Sequence, residues 1–153
     1  MKNIFFLAFV ILSFTGCLKD DTCTPKTVQS ETASMLSYAS TNGITPTTHS
    51  SGMLYQIVSA GAGLTPTATS RVKVRYTGKF MDGTVFDSNA TGDPVSFGLN
   101  EVIQGWQLAL PLIKKDGVIK IIVPSSLAYG CAGFRTIPGD AVLFFEIQLL
   151  DVL

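Results

Sequence analysis

The stretch RVKVRYTGKFMDGTVFDS, residues 71–88, decides the fold class, because it reads as two extended segments joined by a tight turn. Val72, Val74 and Tyr76 alternate with Lys73, Arg75 and Thr77, and a period of two is what a strand with one buried and one wet face requires. Asp82-Gly83 supplies the turn, since this pair tolerates the positive φ of a tight hairpin. Beyond it, Phe86 and Asp87 sit side by side in a second short extended piece. Tyr76, Phe86 and Asp87 therefore gather beside one turn. Two aromatics and an acid in that place are candidates for a pocket wall, with plain scaffold as the alternative reading.

Downstream, residues 89–93 form a loop and residues 94–99 (PVSFGL) a short edge segment, where proline is tolerated at the start. Residues 101–113 (EVIQGWQLALPLI) place Trp106, Leu110 and Ile113 on one helical face, but Pro111 lacks the backbone donor a helix interior needs. The helix is therefore short. Residues 117–123 (GVIKIIV) are a strand stopped by Pro124, and residues 125–140 a long loop carrying Tyr129. Residues 141–153 (AVLFFEIQLLDVL) close the chain as an apolar strand with Glu146, Gln148 and Asp151 on its wetter side.

Upstream, residues 53–58 (MLYQIV) read as a strand, residues 60–70 as a Gly/Pro/Thr loop and residues 45–51 as a linker. Before the linker, Thr24 as N-cap, Pro25 at the first helical position and Asn42-Gly43 as the stop bound a helix. Val28, Met35, Leu36 and Ala39 share its apolar face, which is expected to pack on the outside of the domain. Strands outnumber helices and no βαβ order recurs. The class is α+β, an antiparallel sheet packed on a helix.

The first residues have another character. Lys2, the apolar run of residues 4–13 (IFFLAFVILS) and the small residues before Cys17 read as a signal peptide, the run being short for a membrane span. Gly16-Cys17 resembles the lipobox of a bacterial lipoprotein, which implies lipidation of Cys17; an ordinary signal peptide with an incidental cysteine is the alternative. Lys19, Asp20 and Asp21 look like the tag that sends some lipoproteins outward, so a lipid-anchored place in the bacterial envelope, at the outer membrane, is expected. The resulting division is residues 1–16 as signal peptide, 17–51 as an N-terminal linker with a short helix, and 52–153 as the globular domain.

Loss of Lys2 reduces 11 basic residues to 10 against 11 acidic ones, so no basic field exists to attract nucleic acid. Cys23 and Cys131 remain, either as a disulfide tying the N-terminal segment to a late loop or as two free thiols.

Several chemistries lack their residues. The single histidine, His49, lies in the linker, which leaves no base for a nucleophilic triad. There is no phosphate-binding GxxxxGK[ST], no HExxH and no paired CxxC, and Gly61-Ala62-Gly63 has no helix after it. Neither cofactor nor metal is implied. What remains is an aromatic, weakly polar set, Tyr76, Phe86, Asp87, Phe97, Trp106, Tyr129 and Phe145, suited to holding an apolar group while a few polar atoms orient it.

Several ordered pieces carry a resemblance: V-x-V-x-Y-T-G at residues 72–78, D-G-x-x-F-D-S at 82–88, E-V-I-x-G-W at 101–106, V-P-x-x-L-A-Y-G at 123–130, Ile137-Pro138, and L-F-F-E-I-x-L-L at 143–150. In this order they resemble the FKBP-type peptidyl-prolyl cis-trans isomerases over residues 52–153. The resemblance implies a twisted antiparallel sheet of about five strands wrapped around one short helix, with an N-terminal helical extension. It implies a proline pocket floored by Trp106 and lined by Tyr76, Phe86, Phe97, Val102, Ile137 and Phe145. Tyr129 and the Ile103 backbone N–H would hold substrate carbonyls, and Asp87 at the polar edge would orient Tyr76 or Tyr129.

The implied activity is isomerisation of X-Pro bonds in exported proteins, with proline-containing polypeptides as partners and macrolide-type inhibitors as ligands. Some members of the family dimerise through N-terminal helices, but the single helix of residues 25–41 is short for that purpose, so a monomer is expected. Two departures stand out. Val95 occupies a place where many members carry a pocket aromatic, and the loop after Tyr129 reads CAGFRT with Phe134 near its tip. Val95 leaves room for a non-catalytic, chaperone-like lipoprotein that binds peptides in the same groove.

Overall fold

The computed structural model describes residues 23–153. The expected signal peptide and the expected lipidation of Cys17 fall on residues outside this range. Helix α1 spans Val28–Thr41 and helix α2 Gln104–Ala109; the strands are β1 Thr47–Thr48, β2 Leu54–Ser59, β3 Arg71–Phe80, β4 Val85–Ser88, β5 Val95–Gly98, β6 Val118–Val123 and β7 Leu143–Val152.

All strand pairs are antiparallel, in the order β1-β2-β6-β7-β3-β4, with β5 also on β3. β5 pairs Arg71–Val74 and β4 pairs Thr77–Lys79, so together they form one interrupted edge strand. The sheet thus has the five expected positions, and the two-residue β1 is added at the far edge. Asn89 bridges the interruption: its Oδ1 accepts from Tyr76 N at 2.7 Å, and its Nδ2 donates to Val74 O at 3.3 Å. The side chain supplies what a continuous partner strand would have supplied.

The opening hairpin turns where its sequence says, through one residue. Gly83 alone has the left-handed backbone, at φ 87°, with Gly83 N donating to Phe80 O at 3.0 Å and Phe80 N to Thr84 O at 2.9 Å. Asp82 contributes its side chain instead, accepting from Thr84 N at 2.8 Å.

The inner face of the sheet receives α2. Val72, Val74, Ile119, Ile121, Val123, Phe145, Ile147 and Leu149 form one buried cluster with Trp106, Ala109, Leu110 and Ile113. The α-helix ends at Ala109 and Pro111 sits in a 3₁₀ turn, Leu110–Leu112, as its missing N–H demands. Helix α2 approaches the sheet closely at Gly105, where an added Cβ would lie 2.5 Å from Val123 Cγ1.

Helix α1 covers the outer face, where Met35, Tyr38, Ala39 and Ile44 cluster with Leu54, Ile122, Val142 and Phe144. This second core explains the nearly continuous apolar run of β6, which is covered on both faces. Three local expectations change. Thr27, not Thr24, caps α1, its hydroxyl accepting from Ser30 N at 3.3 Å. Leu36 is 47% exposed, and Tyr38 takes the inward place because it falls seven residues after the buried Glu31. Thr47 and Thr48, within the expected linker, pair with Tyr55 and Leu54, and His49 closes the turn by accepting from Ser51 N at 3.1 Å.

Strand β7 keeps its polar residues outward only because it bulges. Val74 pairs Leu149 while Lys73 pairs Asp151, so Leu150 is extra and Asp151 returns to the wet face. There it meets Lys115 at 2.9 Å. Cys23 and Cys131 form a disulfide across 108 residues.

Candidate functional site

A cleft of about 780 Å³ opens between α2, the inner face of the sheet and the loop after β6. Its wall starts with β3, where Tyr76 continues the inward row of Val72 and Val74. Phe86 and Asp87 both line the cleft although they are adjacent. A regular strand would send them to opposite faces. The register shift between β3 and β4 resolves this: Gly78 pairs Asp87 and Lys79 pairs Val85, leaving Phe86 as the extra residue of a bulge. Gly78 is required beneath them, because a Cβ there would lie 2.7 Å from Phe86 Cζ and 3.0 Å from Phe145 Cε1.

Trp106, 5% exposed, is the centre of an aromatic enclosure. Tyr76, Phe145 and Phe97 surround it at ring-centroid distances of 5.1, 5.3 and 5.6 Å, the first two edge-on. Phe86 meets Phe145 edge-on at 5.6 Å. Edge-to-face packing places ring hydrogens against π faces, so the rings hold one another in fixed orientations. The 3₁₀ turn Leu99–Glu101 leads into this helix, Glu101 Oε2 accepting from Gly98 N at 2.8 Å. Ile103 is the N-cap of α2: its carbonyl accepts from Trp106 N at 3.0 Å, while the N–H of a cap lies outside the helical ladder.

The polar edge is built from two tyrosines and a carboxylate. The Tyr76 hydroxyl donates to Asp87 Oδ2 at 2.5 Å, so Asp87 orients Tyr76 rather than Tyr129. Burial, then this hydrogen bond, holds the Tyr76 pKa far above its ordinary value. Tyr129 is also raised, first by burial and then by the negative field of Asp87, with Arg135 opposing. Both hydroxyls therefore remain protonated and able to donate at neutral pH. Beyond them, Phe134 stacks on Tyr129 at 5.2 Å and 10°, and the Arg135 guanidinium lies 5.1 Å above the Phe134 ring.

All ten side chains singled out from the sequence line the cleft: Tyr76, Phe86, Asp87, Phe97, Val102, Ile103, Trp106, Tyr129, Ile137 and Phe145. Val95 and Phe134, the two departures, line it too. Glu101, Arg135 and Thr136 were missed. Glu101 opens the E-V-I-x-G-W piece and could have been found; Arg135 and Thr136 carry no local signal, since only the fold of their loop brings them in. Among the described residues no three His, Cys, Asp or Glu side chains gather as a metal site. What the arrangement can do is hold an apolar ring on Trp106 and orient adjoining carbonyls with donors at the rim.

A family model described as FKBP-type peptidyl-prolyl cis-trans isomerase matches residues 63–150, more than half of the chain. The chain is 47% identical over 106 residues to FKBP-type peptidyl-prolyl cis-trans isomerase FkpA of Escherichia coli K12, covering 69% of this chain and 39% of that protein. It is 44% identical over 105 residues to the FKBP-type 22 kDa isomerase of the same organism, covering 67% and 51%. The chain thus spans about half or less of the length of these relatives. The crystal structure of FkpA from E. coli superposes with a TM-score of 0.73 at 41% identity, covering 82% of this chain and 60% of that one. A peptidyl-prolyl isomerase from Pseudomonas syringae pv. tomato gives 0.69 at 29% identity, with 85% and 98% covered. Both the matched sequence and the architecture around Trp106 lead to one conclusion: the chain belongs to the FKBP-type peptidyl-prolyl cis-trans isomerase family.

Proposed function

We propose that residues 52–153 bind X-Pro segments in the aromatic cleft and catalyse their cis–trans isomerisation, assisting the folding of exported proteins. The observation that carries this reading is the enclosure of Trp106 by three rings, with the Tyr76–Asp87 pair and Tyr129 on one side of it. Rotation about an X-Pro bond has a barrier of roughly 20 kcal/mol because the planar amide loses its resonance on twisting. The planar form is the more dipolar one. A dry aromatic site that replaces water around it lowers the cost of reaching the twisted form. The proline ring sits on Trp106, walled by Tyr76, Phe86, Val102 and Phe145, with Phe97 and Ile137 at the margins. Tyr129 and the Ile103 N–H hold flanking carbonyls, which fixes the peptide in a conformation from which the bond rotates. Asp87 holds Tyr76 upright. The step needs no nucleophile, proton transfer or cofactor.

A lipid on Cys17 tethers this monomeric domain to the bacterial envelope, at the outer membrane, and residues 17–51 link anchor to domain. Macrolide-type inhibitors compete for the same cleft. A protease-coupled assay on a chromogenic X-Pro-Phe peptide tests the enzyme reading, and no acceleration over the uncatalysed rate at micromolar protein would remove it. One observation favours a second reading: Val95, 39% exposed, lines the cleft where the resemblance expects an aromatic ring. Binding of unfolded chains, seen through the single tryptophan, without acceleration of isomerisation would select a peptide-binding role.

A further inference from the structure

The segment ahead of the sheet is fastened to the loop that joins β6 to β7 at three separate points. Glu31, in α1, is 4% exposed, and its Oε2 accepts from Ser125 N at 2.9 Å across 94 residues. Cys23 is disulfide-bonded to Cys131. Lys26 N donates to Asp140 Oδ1 at 3.5 Å. The three anchors fall at the start, the middle and the end of the loop that brings Tyr129, Phe134 and Ile137 to the cleft.

Ser125 is the point through which the first anchor acts. Its N–H is held by Glu31, and its carbonyl accepts from Ala128 N at 3.0 Å and Gly130 N at 2.8 Å, the two neighbours of Tyr129. A carboxylate on the outer helix is thus two hydrogen bonds from the backbone on either side of the Tyr129 side chain. The base of this linkage is firm, since Met35, Tyr38 and Ala39 pack α1 against the outer face of the sheet. Glu31 Oε1 and Ser125 Oγ are buried with no hydrogen-bond partner. Burying a carboxylate with one oxygen unpaired is unfavourable for folding alone. The oxygen that is paired is the one that holds Ser125 N. Cys23 and Glu31 lie outside residues 63–150, so this fastening is added to the family domain by the N-terminal extension.

We propose that Glu31 and the Cys23–Cys131 disulfide form a clamp by which α1 sets the position of the Tyr129 loop. Glu31 is then a positioning residue for the isomerisation, a role that rests on the function proposed above. The disulfide makes the clamp reducible: two electrons and two protons from a dithiol convert it to two thiols, the dithiol closing to its own cyclic disulfide.

The test uses the full chain as wild type, Glu31→Ala, Glu31→Gln and Cys23→Ser, and wild type treated with a dithiol. Two rates are read on each, trypsin cleavage after the exposed Arg135 and isomerisation of an X-Pro peptide, with a melting curve to establish that the protein is folded. Glu31→Ala is expected to speed cleavage by about tenfold, because loss of a buried anchor makes local opening of the loop easier. It is expected to lower kcat/KM by about tenfold, less than the roughly hundredfold that a 1 Å misplacement of a catalytic group can cost. The loss should fall on kcat. Glu31→Gln keeps an oxygen for Ser125 N and should restore both rates to within about twofold. Cys23→Ser and the dithiol should each raise cleavage by roughly threefold or more, as release of one of several anchors would.

Wild-type rates in a folded Glu31→Ala variant would overturn the clamp, as would a Glu31→Gln variant as impaired as Glu31→Ala. Should Glu31→Ala not fold, the cysteine variant and the dithiol decide, and unchanged cleavage in both refutes the proposal. If the wild type shows no isomerisation, the functional reading falls, while the cleavage rates still decide whether the clamp exists.

Discussion

Replacing Gly105 by alanine sets two physical effects against each other, and the structure says which wins. Gly105 lies inside α2, where alanine is favoured over glycine by about 1 kcal/mol on helix propensity alone. The added Cβ, however, would stand 2.5 Å from Val123 Cγ1 and 2.9 Å from Val123 Cγ2. Carbon atoms rest at about 3.5–4.0 Å, so either the helix or the strand must retreat by roughly 1 Å. Neither is free to do so. Val123 is fully buried in β6, an interior strand paired on both sides, and Trp106 follows Gly105 immediately. Overpacking of this kind costs about 3 kcal/mol, so the net loss is about 2 kcal/mol. For a domain of this size that lowers Tm by roughly 8 °C.

Val123→Ala removes both clashing methyls and by itself costs about 2 kcal/mol for the cavity it leaves. In the double variant the new methyl enters that cavity. The combined loss should stay near 2 kcal/mol instead of reaching about 4, a coupling of roughly 2 kcal/mol. Urea unfolding followed by the emission of Trp106, the single tryptophan, measures all four corners of the cycle. A Gly105→Ala protein at least as stable as wild type, or strictly additive losses, would show that the close approach of helix and sheet does not control this core.

Asp87→Ala is expected to lower kcat/KM by about tenfold by freeing the Tyr76 hydroxyl, whereas Asp87→Asn, which keeps an acceptor, should cost about threefold; equal losses would mean that the charge acts directly. Tyr129→Phe should lower kcat/KM with Tm nearly unchanged, and a wild-type rate would remove Tyr129 from the site. Phe134→Ala removes the ring stacked on Tyr129 and should raise KM in the coupled assay. With pH, the sign follows from tyrosine pKa values raised above their ordinary 10.0. The folded state keeps protons that the unfolded chain releases, so this stabilisation is complete below about pH 10 and declines above it. Denaturation midpoints should fall above about pH 10, and less steeply in Tyr76→Phe.

The alternation of residues 72–76 foretold a half-buried strand because burial on one face imposes a period of two, and Pro111 foretold a short helix because the missing N–H is a local fact. Other features had no such local cause. Phe86 and Asp87, as neighbours, should face opposite ways; both enter the cleft because Phe86 is the extra residue of a bulge whose partner strand lies across the turn. Leu36 was read onto the apolar face of α1, but Tyr38 is the one that turns inward, where it joins the outer cluster with Ile122 and Phe144 while Leu36 stays exposed. The broken edge strand is patched by Asn89, a residue that reads as ordinary loop.

By itself the sequence determined the strand and helix types, the turn at Gly83, the aromatic inventory of the cleft and the family, since these depend on periodicity, backbone chemistry and the order of short motifs. Only the tertiary structure decided that Asp87 holds Tyr76, that Cys23 and Cys131 pair, and that Glu31 reaches Ser125. These contacts join residues 11, 108 and 94 positions apart. No propensity or spacing encodes them, because their energy exists only after the sheet has brought both partners to one place.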